Sequence, residues 1–385
     1  MKHFFRYIFF FTVSCLLFFP VFVSANSLDQ PGFEETTEAQ IEEVFFLGKV
    51  VEDPTEEVTT EFGETHIQQY VPVVFTSGVD TGEEQTLLFE VREGTPGNAL
   101  LQKGDRVIVG KSMVGGSETY YISDVYRLPV LYILLGLFLL LACLFTGWGG
   151  VRALVGLSSS IAVIVFFIVP NMLAGKNPLL IGFLGTIAIA VFSIFIAHGF
   201  RVRTTIAFVS TLATIGVALL LSSSIAKAMH LFGLGTEEAF FLQAAGQSYN
   251  LQGILIAGII IGTLGVLDDI TTAQAAVVEE LHNANNTFGI KELFRRAFSV
   301  GREHIISLVN TLILAYVGVS LPLLLLLHIY EAPFWIFLNS EIVMEELVRM
   351  LVGSTALLLA VPITTALGAW YFGRKILEEN ESKNI

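Results

Sequence analysis

Only two cysteines occur in this chain of 385 residues, Cys15 and Cys143, and each lies inside an apolar run. The polar segment between those runs holds none, so no disulfide stabilises it and cysteine pairing says nothing about redox compartment. Charge is scarce too. Asp, Glu, Lys and Arg make up 15% of the residues against 54% hydrophobic ones, and the mean hydropathy of +0.70 excludes an ordinary soluble globule. No basic stripe is present, which sets nucleic acid aside as a partner. No P-loop, H-E-x-x-H or nucleophile elbow is found, so nothing points to an enzyme, a metal or a cofactor.

What charge there is sits in one place. Residues 26–127 carry 6 Lys/Arg and 20 Asp/Glu, a balance of −14 that equals the net charge of the whole chain. The remainder holds 15 of each sign and sums to zero. The acidity belongs to one polar segment, and the apolar part is neutral.

The chain opens "MKHFFRYIFFFTVSCLLFFPVFVSA". Lys2 and Arg6 precede an apolar stretch ending in small residues, the pattern of a signal peptide over 1–25 or of an anchor helix. Residues 26–43 form an acidic tether. Between 44 and 128, five β-type runs (44–51, 66–77, 85–93, 105–112 and 119–127) alternate with turn signals at Asp53-Pro54, Ser77-Gly78 and Gly94-Thr95-Pro96-Gly97, which predicts a small extracytoplasmic β domain, with an OB-like barrel as one candidate topology. Its expected role is interaction or gating, or that of an inert solvated cap.

From residue 129 to 376 the expectation is an all-α polytopic bundle of about seven spans, at 130–148, 153–172, 178–198, 204–229, 250–270, 304–328 and 346–373. A cytoplasmic tail, 377–385, follows. With the β domain outside, the cytoplasmic segments hold Arg152, Arg201, Arg203, Lys291, Arg295, Arg296, Arg302, Arg374, Lys375 and Lys383, and the outer ones only Lys176, Lys227 and Arg349. That bias is the positive-inside pattern. It predicts a C-terminus inside the cell.

Several polar residues interrupt these spans. The fifth reads "NLQGILIAGIIIGTLGVLDDI". Gly258, Gly262 and Gly265 make a small-residue stripe expected to let another helix approach. Asp268 lies about 27 Å into the span at roughly 1.5 Å per residue, and the helix is expected to continue past it. Asp268, Thr272 and Glu279 then share one face, with Asp269 and Glu280 nearby and Thr271 and Gln274 adding polar groups. Asn310 in the sixth span and Thr364 and Thr365 in the seventh reach a similar depth, and Pro362 frees a carbonyl in the turn before it. Two readings stand. Either these groups meet in one wet pocket as an ion or substrate pathway, or Asp268 and Asp269 mark the water interface and cap a following helix. Near the opposite face Arg349 is positioned to pair with Glu345 or Glu346. Asp-based enzyme readings lack their second acid or second motif.

Three stretches, "LIAGIIIGTLGVLDDITTAQAAVVEEL" (255–281), "GREHIISLVNTLILAYVGVSLPLLLLL" (301–327) and "EELVRMLVGSTALLLAVPITT" (345–365), resemble in order the motifs of the YibE/F-like family of bacterial multi-pass membrane proteins. The resemblance covers about two thirds of the chain. It carries over Gly262, Gly265, Asp269 and Glu280 in the first motif, Arg302, Asn310 and Pro322 in the second, and Arg349, Pro362 and Thr365 in the third. It implies the fold and a location in a bacterial cytoplasmic membrane, and no particular activity. The functional expectation is a permease or ion-coupled transport component acting on a small ion or solute. The alternative is a non-transporting scaffold or sensor whose acidic domain binds a partner. The lipid bilayer is an expected partner in both, and a membrane-protein partner or a second copy of the chain remains open.

Overall fold

The structure is a computed structural model that describes residues 43–61, 64–78, 80–91, 100–114, 117–244, 249–329 and 333–383. The expected signal peptide and all of the acidic tether except Glu43 lie outside the described residues. The chain divides into two compact units at Ala142/Cys143.

The first unit contains six strands: β1 (Val44–Val50), β2 (Thr55–Glu61), β3 (Glu64–Phe75), β4 (Glu84–Val91), β5 (Arg106–Val114) and β6 (Ser117–Val125). Every pairing is antiparallel, in the order β2-β3-β1-β5-β6 with β4 on the other side of β3, which makes a half-barrel. Alternation sends Phe46, Val50, Val71, Val73, Val107 and Val109 inward, all buried, while the acids face out. Five strands are expected from the sequence and six are found. The additional one, β2 ("TEEVTTE"), is acidic and lies at the edge of the sheet, where one solvated face removes the apolar signal. Gln69, buried in this core, uses its amide to accept from Leu101 N–H at 2.8 Å.

The half-barrel leads into α1 (Leu128–Thr146), none of whose residues is buried. The second unit is helical. It comprises α2 (Trp148–Leu173), α3 (Pro178–His198), α4 (Val202–Ala228), a short α5 (Glu237–Ala244), α6 (Leu251–Ala284), α7 (Ile290–Val319), α8 (Leu321–Ile329), a single-turn α9 (Phe334–Leu338) and α10 (Glu341–Lys383). Six of the described helices, α1 to α4, α6 and α10, are long and apolar enough to cross a membrane.

Local chemistry accounts for several boundaries. Asn177 caps α3 by accepting from Leu179 N–H, with Pro178 opening the helix, and Gly199 ends it at φ 76°. The ladder of α2 widens to a π segment at Ile164–Ile168 just before Pro170, which cannot donate to the turn preceding it. The stretch expected as a single span over 304–328 is divided at Ser320 between α7 and α8. Pro322 cannot donate to Gly318, so the α7 ladder stops there. By contrast α10 runs through Pro362 without a break.

α6 is the axis of the unit. It packs against α3, α4, α7 and α10 and buries Leu255, Ile256, Ile259, Leu264, Leu267 and Ile270 in one apolar core with residues of its neighbours. A second cluster around Ala275, Val278, Leu293 and Ala369 continues that core toward the far end of α6.

Candidate functional site

Past the apolar half of α6, four of its polar side chains are held by neighbouring helices: one by α3, two by α4, and one by α7 and α10 together. Asp268 accepts a hydrogen bond through Oδ2 from the Ser193 hydroxyl of α3. Its Oδ1 is buried and has no hydrogen-bond partner, and no Lys, Arg or His among the described residues forms an ion pair with it. One turn on, Thr271 Oγ1 lies 2.8 Å from Thr211 Oγ1 of α4, both fully buried. Gln274 donates from Nε2 to Ala297 O of α7 at 3.0 Å and to Thr365 Oγ1 of α10 at 2.7 Å. Glu279 closes the series with an ion pair to Arg203 of α4 at 3.1 Å.

This seam leaves little slack. A methyl placed on Gly301 of α7 would come within 2.6 Å of Gln274 Oε1, so glycine at that position is what lets the amide lie between α7 and α10. The hydroxyls of Thr364 and Thr365 also donate back to Ala360 O and Val361 O at 2.7 and 2.6 Å, a local use of the donor that satisfies it in an apolar surrounding.

The residues expected to meet in one pocket occupy separate places. Asp268 faces the interior and Ser193. Asp269 is exposed on a different side, beside a cavity of about 250 Å³ that it lines with His304, Ser307 and Leu308. Asn310 is exposed and does not line that cavity. Thr365 joins Gln274, and Thr364 bonds only within α10. Thr272 donates to the backbone carbonyl of Asp268 at 2.9 Å and borders a cavity of about 220 Å³ with His198, Arg203 and Thr204. Glu280 is exposed. The cause is rotational: neighbouring residues diverge by about 100° around a helix, so equal depth does not place two side chains on one face.

The glycine stripe also differs from expectation. An added methyl at Gly258 would meet only Arg349 Nη1, at 3.8 Å, and at Gly262 only Tyr316 Oη, at 3.8 Å; at Gly265 it would meet nothing. Each position would accept a methyl at ordinary contact distance or better, and none of the three brings a helix backbone close. The intimate approaches are elsewhere, with Gly182 of α3 against Ala257 and Gly368 of α10 against Val278.

At the other end of α6, Arg349 pairs with Glu346 at 3.6 Å. Glu345 has a different task, which the sequence did not reveal. With Glu341 it holds the backbone of the loop between α4 and α5: Glu341 Oε1 accepts from Gly233 N–H at 3.0 Å, and Glu345 Oε1 from Gly235 N–H at 3.1 Å. Ser193 and Thr211 were likewise missed, because a lone hydroxyl in an apolar run can bond to its own helix and carries no signal of a partner.

Six apolar helices and an interior seam of hydroxyl, amide and carboxyl groups define a multi-pass membrane protein with a line of polar contacts inside its helical unit. The family model for YibE/F-like protein matches residues 134–374, and the chain belongs to that family. No curated protein and no solved structure matches it.

Proposed function

We propose that this YibE/F-like protein is an ion-coupled permease of a bacterial cytoplasmic membrane, with Asp268 as the acid that takes up and releases the coupling proton or cation. The observation that carries the reading is Asp268 itself. It is a carboxyl group inside the bundle with one oxygen on a neutral hydroxyl and the other buried and unpartnered. A carboxylate desolvated without a counter-charge is costly, so such a group is held neutral by a proton or balanced by a bound cation. A structural acid would be expected to have an ion-pair partner, as Glu279 has in Arg203. Asp269, one residue on and exposed beside His304, offers a second carboxylate between that acid and the adjoining medium. The distribution of Lys and Arg supports a half-barrel outside the cell and a C-terminus inside it.

The test is flux. Full-length protein in proteoliposomes carrying an internal pH dye, under an imposed potential, is expected to move protons or, in sodium-loaded vesicles, sodium. Asp268→Asn, which keeps an acceptor for Ser193, should abolish that movement. Wild-type rates in Asp268→Asn would overturn the assignment. The competing reading, a scaffold whose acidic domain binds a partner, is favoured if no ion moves and deletion of residues 26–127 removes the cellular phenotype while the bundle stays folded.

A further inference from the structure

The Glu345 end of the helical unit contains a cavity of about 250 Å³ bounded by α5, α6 and α10. Its polar lining has both signs: Glu238 and Glu345 on one hand and Arg349 on the other, with Thr236 beside them. Leu251 and Leu255 supply an apolar wall. From this juxtaposition we infer that the cavity is the solute site and that it takes a small zwitterion with an apolar side chain, of the α-amino-acid class.

Arg349 is the anchor. It stands eight residues into α10 from Glu341, about 12 Å along the axis at roughly 1.5 Å per residue, deep enough that its donors need partners. It has few. Its Nε is buried, and the nearest acid oxygen, Glu346 Oε1, stands off from that same atom at 3.6 Å, an ion pair too long for a hydrogen bond. Gly258 borders the cavity, and the nearest group to a methyl added there would be Arg349 Nη1 at 3.8 Å. That contact places the guanidinium beside the cavity. A planar fork with open donors next to a cavity is suited to a carboxylate.

The acids restrict the class further. Glu345 is 3% exposed and held in place by Gly235 N–H, and Glu238 lies at the rim on α5. A simple organic anion reaching Arg349 meets this negative charge at close range, and a simple cation reaching the acids meets Arg349. Each is disfavoured by like charge, and a molecule carrying both charges satisfies both walls. The volume is below the ~300–1,000 Å³ of sites for drug-sized ligands, which fits a molecule of amino-acid size.

The inference deepens the permease reading and rests on it for the word solute. Its test is equilibrium binding, so it can fail while ion flux through Asp268 stands, and the reverse. Purified full-length protein is incubated with radiolabelled L-leucine, and competition is measured with 4-methylpentanoate, which lacks the ammonium, and 3-methylbutylamine, which lacks the carboxylate. Leucine is expected to bind saturably and each analogue at least roughly tenfold more weakly, since each leaves one buried charge unanswered. Arg349→Gln should lose binding. Gly258→Leu, which fills the cavity and keeps Arg349, should lose it as well and decides the matter should Arg349→Gln fail to elute as a folded species. No saturable leucine binding by the wild type, equal affinity for 4-methylpentanoate, or unchanged binding in a folded variant would each overturn the site.

Discussion

The hydroxyl of Ser193 on α3 is the single hydrogen-bond donor among the described residues that reaches the Asp268 side chain on α6. The contact joins two helices that otherwise share an apolar core, and it leaves the second carboxyl oxygen buried without a partner. Removing the donor therefore exposes a polar group to an apolar surrounding. Ser193→Ala is expected to cost about 1–3 kcal/mol, read as a lower melting temperature in a fixed detergent, and Ser193→Thr to restore most of it. An unchanged melting temperature in Ser193→Ala would show that the bond contributes nothing to the bundle.

The amide of Gln274 and the bare backbone of Gly301 are fitted to one another, with 2.6 Å between Oε1 and the position of an added methyl. Gly301→Ala is expected to destabilise the helical unit by about 1–3 kcal/mol through overpacking. Combining it with Gln274→Ala should recover part of that loss, and not all, because the same methyl also meets Val361. Strict additivity of the two changes in thermal unfolding would argue against the fit.

At the opposite end, Glu341 accepts from Gly233 N–H and Glu345 from Gly235 N–H. Glu341→Ala should leave the amides of Phe232, Gly233 and Leu234 without their acceptor and raise hydrogen exchange across 232–234. Glu345→Gln keeps an acceptor for Gly235 and should leave exchange at that amide near the wild-type level. Gly233→Ala is expected to be the most damaging of the three. Its φ of 84° strains any L-residue, and an added methyl would sit against the Leu251 carbonyl.

In the half-barrel, Lys111 Nζ lies 3.0 Å from both Asp80 Oδ2 and Glu118 Oε2, and the Tyr120 hydroxyl donates to Asp80 at 3.0 Å. The Lys111 hydrogen bond, helped by that of Tyr120, holds the Asp80 carboxyl below its ordinary value. A depressed acid stabilises the fold above its unfolded value of about 3.9, and that contribution disappears as the pH falls through the lower folded value. Protection of β5 and β6 amides should thus weaken on acidification below about pH 4. Asp80→Asn should flatten this dependence, and a variant with the wild-type acid profile would exclude Asp80 as its source.

Much of the architecture was legible because membrane spans declare themselves by length and hydropathy. The expected span 178–198 coincides with α3, where Asn177, Pro178 and Gly199 mark both ends. The continuation of α6 past the two aspartates was also readable, since no Gly or Pro interrupts residues 266–284. Rotation was not readable. Depth follows from counting residues, but the face that a residue presents depends on which neighbours pack around the helix. Asp268 and Asp269 share a depth and point to different surroundings, and Asn310 and Thr365, expected beside them, belong to other contacts. The glycine stripe misled for a related reason: spacing shows that small residues share a face, and only the packing shows whether a helix backbone comes up to it; here the nearest groups are the ends of Arg349 and Tyr316, ninety or so and fifty or so residues away in sequence.

The account turns on Asp268 being an interior carboxyl without a counter-charge. Infrared difference spectroscopy of the reconstituted full-length protein, taken across a change of pH or of sodium concentration, reports such a group through its carbonyl stretch. The account predicts a titrating carboxyl band that is absent in Asp268→Asn and retained in Asp269→Asn. A band that persists in Asp268→Asn, or a spectrum with no carboxyl that responds to either change, would contradict it.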